Sequence, residues 1–300
     1  MTLIIKKSNI MKNQIILIVC MTLTLNACIS DKSVSKDLVT GLSTQGDGLS
    51  CDNVYLSDGE KNINRNTFTY GEKVNVNFEN IEGFRKENTY AYPGMKLSVL
   101  NQEGDTVMTY PDLYADYKDG IDISPLLLQA NLTVADPMHT GKEYTLNVHI
   151  WDKRGEGTFK ATMDFDVIPD KQIRIENNDL SYDEIYLFAK EEGNVIIGNE
   201  VNFNEDIYLI FEGLEGFLED DGQVFIGLSL KVMDSTGEIL IDERDLIGDS
   251  GLQAPQVKYQ LAPNFIISDT NVSTPVLCEI VIWDKKSDRN IKASLNLNLK

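Results

Sequence analysis

The chain repeats itself once, and that repetition limits its fold more than any motif does. Leu49-Ser50-Cys51-Asp52-Asn53-Val54-Tyr55-Leu56 returns as Leu180-Ser181-Tyr182-Asp183-Glu184-Ile185-Tyr186-Leu187. Phe78-Glu79-Asn80-Ile81-Glu82-Gly83-Phe84 returns as Phe211-Glu212-Gly213-Leu214-Glu215-Gly216-Phe217. Asp112-Leu113 is matched by Asp245-Leu246, and Ile150-Trp151-Asp152-Lys153 by Ile282-Trp283-Asp284-Lys285. The spacing between partners drifts by only a residue or two from end to end. A period of about 130 residues is the length of a domain, so the pattern means two tandem copies and not a solenoid.

Within each copy the apolar period is two. Val74, Val76 and Phe78 alternate with Asn75 and Asn77, and Tyr144, Leu146, Val148 and Ile150 pass through a polar turn into Phe159, Ala161, Met163, Phe165 and Val167. The second copy answers with Ile207, Leu209 and Phe211, and with Val276, Cys278, Ile280 and Ile282 turning into Ile291, Ala293, Leu295, Leu297 and Leu299. Strict alternation broken by turn residues predicts half-buried antiparallel strands, and no segment of comparable length has helical spacing with caps. Roughly seven or eight strands in such a span predict an all-β chain of two tandem immunoglobulin-like β-sandwiches. The cysteine–tryptophan–cysteine spacing of antibody domains is absent. The run Gly71-Glu72-Lys73-Val74-Asn75-Val76-Asn77-Phe78 resembles the second strand of bacterial Ig-like adhesion and cell-surface modules. The expected sandwiches span 48–168 and 178–300, joined by a polar linker at 169–177.

Lys6, Lys7 and Lys12 precede an apolar run that begins Ile15-Ile16-Leu17-Ile18-Val19, and Leu25-Asn26-Ala27-Cys28 closes it. The run is shorter than the about 20 residues of a membrane-spanning helix and has the order of a secretory signal. It resembles the lipobox of bacterial lipoproteins, which implies cleavage after residue 27 and lipid attachment (palmitate among the chains) at Cys28. Met11 opens a complete leader by itself, so Met1 and Met11 both stand as starts. Residues 28–47 are polar and lack periodicity, which predicts a flexible tether holding the body on the order of 25 Å from the membrane. The asparagine- and lysine-rich leader and tyrosine-rich body resemble Bacteroidota lipoproteins. That likeness implies a lipid-anchored protein of the outer membrane, with periplasmic and surface faces both open.

The formal charge of −20 becomes −23 when the three leader lysines leave. So acidic a body repels phosphate backbones, which argues against nucleic acid as a partner. Once Cys20 leaves with the signal and Cys28 takes lipid, only Cys51 and Cys278 remain, in non-equivalent places, and no disulfide framework or zinc spacing is present. Neither His139 nor His149 has a nucleophile at triad spacing, and no phosphate loop or catalytic motif is found. The expectation is a non-enzyme that needs no cofactor.

One segment sets the copies apart. Residues 110–122 hold Tyr110, Tyr114 and Tyr117 among Asp112, Asp116, Asp119 and Asp122, where the second copy has no tyrosine. Tyrosine supplies contact area at low entropic cost, so this loop is the predicted ligand surface. The four aspartates are also oxygen donors of the kind calcium takes, though they match no EF-hand pattern. Trp151, by parity, faces away from the core and is a candidate stacking platform. Two functions fit: an envelope binding or structural protein presenting tandem Ig-like domains to a protein or glycan, and an accessory carbohydrate-binding lipoprotein of a nutrient-uptake system. The second needs exposed rings at Trp151 and Tyr114.

Overall fold

The computed structural model describes residues 32–300; the leader, Cys28 and its lipobox lie outside the described residues. In the first copy the strands are β1 (Lys32–Lys36), β2 (Ser43–Asp47), β3 (Ser50–Ser57), β4 (Asn62–Ile63), β5 (Thr67–Thr69), β6 (Lys73–Glu82), β7 (Pro93–Asn101), β8 (Thr106–Tyr110), β9 (Leu128–Thr133), β10 (Glu143–Asp152) and β11 (Thr158–Ile168). The second copy runs β12 (Arg174–Asn178), β13 (Glu184–Ala189), β14 (Asn194–Ile196), β15 (Glu200–Val201), β16 (Ile207–Glu212), β17 (Glu219–Asp220), β18 (Gln223–Val224), β19 (Ile226–Met233) and β20 (Ile239–Glu243). It continues with β21 (Leu252–Gln253), the helix α1 (Ala254–Tyr259), β22 (Asn264–Phe265), β23 (Val276–Asp284) and β24 (Asn290–Leu299).

Each copy is a sandwich of two sheets. In the first, β1-β2-β11-β10-β7-β8 faces β4-β3-β6-β9. Their inward residues form one core, in which the Phe78 and Phe159 rings meet edge to face at 6.0 Å. In the second, β12-β24-β23-β19-β20 faces β14-β13-β16-β22, around a separate core. The duplication extends to an uncommon detail. The short strands β5 and β15 both pair in parallel with the last strand of their copy, while the other main pairings are antiparallel. That switch of a first-strand segment from one sheet to the other closes both sandwiches in the same way.

Two expectations about connecting segments are corrected. Residues 32–47 are not a loose tether, because β1 and β2 form a hairpin whose second strand pairs with β11 from Thr158 to Thr162. Leu42, at the end of its turn, is 4% exposed. Likewise β12 (Arg174–Asn178), all but its last residue assigned to the linker, pairs with β24. Both strands gain ladder hydrogen bonds at a sheet edge while burying few side chains, so they carry no apolar alternation to read. The helix α1 is also beyond the sequence reading. It is six residues long with Pro255 at its start and a single buried residue, Val257.

The two copies meet through β13 and the loop before β10. Glu184, only 3% exposed, accepts hydrogen bonds from the Thr140 N–H (2.7 Å) and the Thr140 hydroxyl (2.6 Å). The Tyr70 and Tyr186 rings pack 5.1 Å apart across the same contact.

Candidate functional site

The repeated polar residues turn out to be a shared frame. In the first copy Asp112 Oδ2 lies 2.7 Å from Lys153 Nζ, while its Oδ1 accepts from the N–H groups of Met95 (3.1 Å) and Tyr114 (2.9 Å). In the second, Asp245 Oδ2 lies 2.6 Å from Lys285 Nζ and its Oδ1 accepts from Leu228, Ile247 and Gly248 N–H. Each lysine also donates to a carbonyl in the loop it holds, Tyr114 in one copy and Gly248 in the other. Burial pushes both aspartates up, but the ammonium and amide donors outweigh it and hold them below the ordinary carboxylate value.

The preceding aspartate of each Ile-Trp-Asp-Lys run performs a second tie. Asp152 Oδ2 accepts from Arg85 N–H at 2.6 Å, and Asp284 Oδ2 from Leu218 N–H at 2.9 Å. In both copies this fastens the segment following the Gly-Phe pair to the sandwich. The tryptophans, half-buried on the outward sheet faces, each cover a glycine on the neighbouring strand. A Cβ added to Gly94 would stand 2.1 Å from the Trp151 ring, and one added to Gly227 would stand 2.1 Å from Trp283. One ring face of Trp151 is therefore already occupied by its own sheet.

On this frame the 110–122 loop divides into two kinds of residue. Tyr114 packs on the core with Leu113, and its hydroxyl accepts from Gln129 N–H at 2.9 Å and donates to the Gln129 carbonyl at 3.3 Å. Burial pushes the Tyr114 hydroxyl above its ordinary pKa. Ile121, 9% exposed, exchanges backbone hydrogen bonds with Ala91. Part of the predicted ligand surface is thus packed into the sandwich, through Tyr114 and Ile121. Tyr110 and Tyr117, by contrast, are 48% and 54% exposed, and Tyr117 leans on Tyr114 at 5.3 Å. Tyr90, also exposed, lies against Gly120, so it joins the end of this loop.

Among the described residues no three acidic, histidine or cysteine side chains converge on a metal-sized point, and Asp112, Asp116, Asp119 and Asp122 are not brought together as a ligand set. Asp112 spends its oxygens on the lysine clamp. Cys51 and Cys278 are free; burial raises the Cys51 thiol to about 11 and raises Cys278 further still. His139 approaches Glu184 at 3.6 Å in the contact between copies. Sequence reasoning missed that contact, since neither residue belongs to a motif.

No protein-family model matches the chain, and no curated protein matches it. Among solved structures, dimeric latent PorU from Porphyromonas gingivalis shares 11% identity at a TM-score of 0.27, over 84% of this chain and 20% of that one. A protein designated pT26-6p shares 8% identity at a TM-score of 0.27, over 90% of this chain and 66% of that one. A DUF3823 family protein from Bacteroides ovatus shares 11% identity at a TM-score of 0.21, over 76% of this chain and all of the other. The chain thus spans a fifth of the first and about two thirds of the second.

Proposed function

We propose that the protein is a non-enzymatic, lipid-anchored component of a bacterial cell envelope that binds a protein or glycan through the tyrosine loop of its first sandwich. The observation behind this reading is the division of labour within 110–122. The Asp112–Lys153 clamp and the packed Tyr114 hold the loop, leaving Tyr110 and Tyr117 exposed, with Tyr90 against Gly120 at the loop's end. Rigid presentation of aromatic rings lowers the entropic cost of capture. The second copy keeps the clamp and lacks the tyrosines. Anchoring rests on the lipobox ending at Cys28, and the coarser all-β sandwich architecture is compatible with a scaffold role.

Envelope cross-linking with the full chain tests the reading. Tyr110→Ala combined with Tyr117→Ala should abolish the recovered adduct, while Tyr259→Ala, at the most exposed tyrosine of the second copy, should leave it intact. Equal recovery from both variants would remove the loop from consideration. The anchor is checked separately by the mass of the N-terminal peptide and its loss in Cys28→Ala. The carbohydrate-uptake alternative depends on Trp151 as a platform, and one face of that ring is committed to Gly94.

A further inference from the structure

The outward face of the sheet β1-β2-β11-β10-β7 carries a row of cross-strand neighbours that departs from the charge of the rest of the chain. Register aligns Lys96 with His149, His149 with Lys160, Lys160 with Gln45 and Gln45 with Val34. Residues opposite one another in such ladders share a face. Lys96 and Lys160 are exposed, and among the described residues neither forms an ion pair, although the chain as a whole is at −20. Their charges flank His149, whose pKa is lowered first by burial and then by both lysines. The next row places Lys36 beside Ser43 and Thr162, so basic groups reach the edge formed by β1. The equivalent row of the second copy reads Ser229, Val281, Lys292 and Glu176, and there Lys292 is paired with Glu279.

The same edge exposes apolar side chains. Val34 is 78% exposed, Leu38 92% and Val39 68%. The turn that presents Leu38 and Val39 is ordered by its own hydrogen bonds, from Val39 N–H (2.7 Å) and Thr40 N–H (3.0 Å) to Asp37 Oδ1. This edge is also where the chain arrives from Cys28. Only four peptide steps separate Cys28 from Lys32, a reach of at most about 14 Å.

We propose that this outward face of the first sandwich lies on the bilayer that holds the chain's own acyl anchor. Lys36, Lys96 and Lys160 face anionic phospholipid head groups, and Leu38 and Val39 enter the interface. The inference rests on acylation at Cys28, which places a membrane within that reach. Charge complementarity then selects the end of this face that holds the row, because basic side chains near an anionic leaflet are attracted over about a Debye length, while Glu143, Asp164 and Asp166 at the other end of the same strands, and the acidic remainder of the chain, are repelled. A short anchor, a basic row and exposed aliphatic residues at one edge together fix an orientation that a loose tether would not.

Lysine acetylation of the acylated full chain, read by mass spectrometry, tests the orientation. In vesicles of phosphatidylethanolamine and phosphatidylglycerol, Lys36, Lys96 and Lys160 should react about fivefold or more slowly than in detergent micelles. Lys73, on the opposite sheet of the same copy, and Lys231, in the second copy, should keep their micelle rates. In a variant with Lys96→Glu and Lys160→Glu, both at exposed positions, Lys36 should regain its micelle rate. Acylated protein whose lysines are slowed evenly, or not at all, overturns the orientation alone. An N-terminal peptide without acyl mass overturns the anchor and the orientation together. Protection of Lys36 that survives the double reversal overturns the electrostatic basis.

Discussion

In the first sandwich, Asp112 and Lys153 hold a loop with exposed tyrosines; in the second, Asp245 and Lys285 hold one that has none and leads on to β21 and α1. In the first, Lys160 stands unpaired on the outer face; in the second, its counterpart Lys292 is bound to Glu279. The frames coincide down to the cation over the ring that precedes β7 and β19, Arg154 on Tyr92 at 4.3 Å and Lys286 on Phe225 at 4.2 Å. The difference teaches where to look for function. Residues that recur in both copies, however polar, are ties within the fold, and it is the exposed residues found in one copy alone that are free to serve something outside it.

The largest expected effect tests whether the frame is equally important in both copies. Gly94→Val and Gly227→Val each push a side chain into a tryptophan ring and should each cost about 3 kcal/mol by denaturant titration. A cost confined to one copy would break the equivalence.

Next comes Tyr114→Ala, which removes a packed ring and leaves the Gln129 N–H without its acceptor, for about 2 kcal/mol. Tyr110→Ala and Tyr117→Ala, at exposed rings, should each stay within about 0.5 kcal/mol. If all three cost alike, the division between frame and surface within the loop is wrong.

The pH dependence sharpens the comparison further. Asp112, Asp245 and Asp284 lie below the ordinary 3.8, since hydrogen bonds outweigh the burial that raises them. The folded chain binds these protons less readily than the unfolded chain does. Their contribution is present above pH 3.8 and is lost as pH falls through the lowered folded values. Glu184 runs the other way, raised above 4.5 by burial, so it subtracts stability as pH rises through that raised value. Melting temperatures measured across the acid range should show a shallower acid limb in Asp112→Asn and in Asp245→Asn, by similar amounts. Glu184→Gln should weaken the opposing trend at higher pH.

The clamps themselves should show only a small effect. Because the lysines are partly solvated, Lys153→Met and Lys285→Met should each lower the melting temperature only slightly, equally in the two copies.

The apolar alternation from Val74 to Phe78 and from Tyr144 to Val167 made the sandwiches legible, because each inward residue buries against the opposite sheet. The recurrence of Ile-Trp-Asp-Lys was legible as repetition, and parity placed Trp151 outside the core. Its partner, Gly94, was not legible, since a glycine in a strand announces nothing until register sets a ring over it. The strands β1, β2 and β12 were hidden for a related reason. Lys-Ser-Val-Ser-Lys earns its place by main-chain pairing, which leaves no trace in hydropathy. The basic row was invisible for want of register, because Lys96, His149 and Lys160 come together only through two strand pairings. Tyr114 and Tyr117 looked alike in sequence and separate only when one hydroxyl meets Gln129.

The pairing of each copy's opening strand with its closing one has a kinetic consequence. Ser43 bonds to Thr162 across 119 residues, and Asn178 to Asp288 across 110. Contacts of such long range must overcome the entropy of closing nearly a whole domain, which slows folding relative to a chain of local hairpins. Until β11 and β24 dock, β2 and β12 are open edges able to recruit strands from another molecule. During synthesis the first copy possesses its closing strand while the second still lacks β24. Vectorial production thus staggers the two periods of vulnerability, and copies of the same architecture that would otherwise exchange strands with each other are given separate times in which to close.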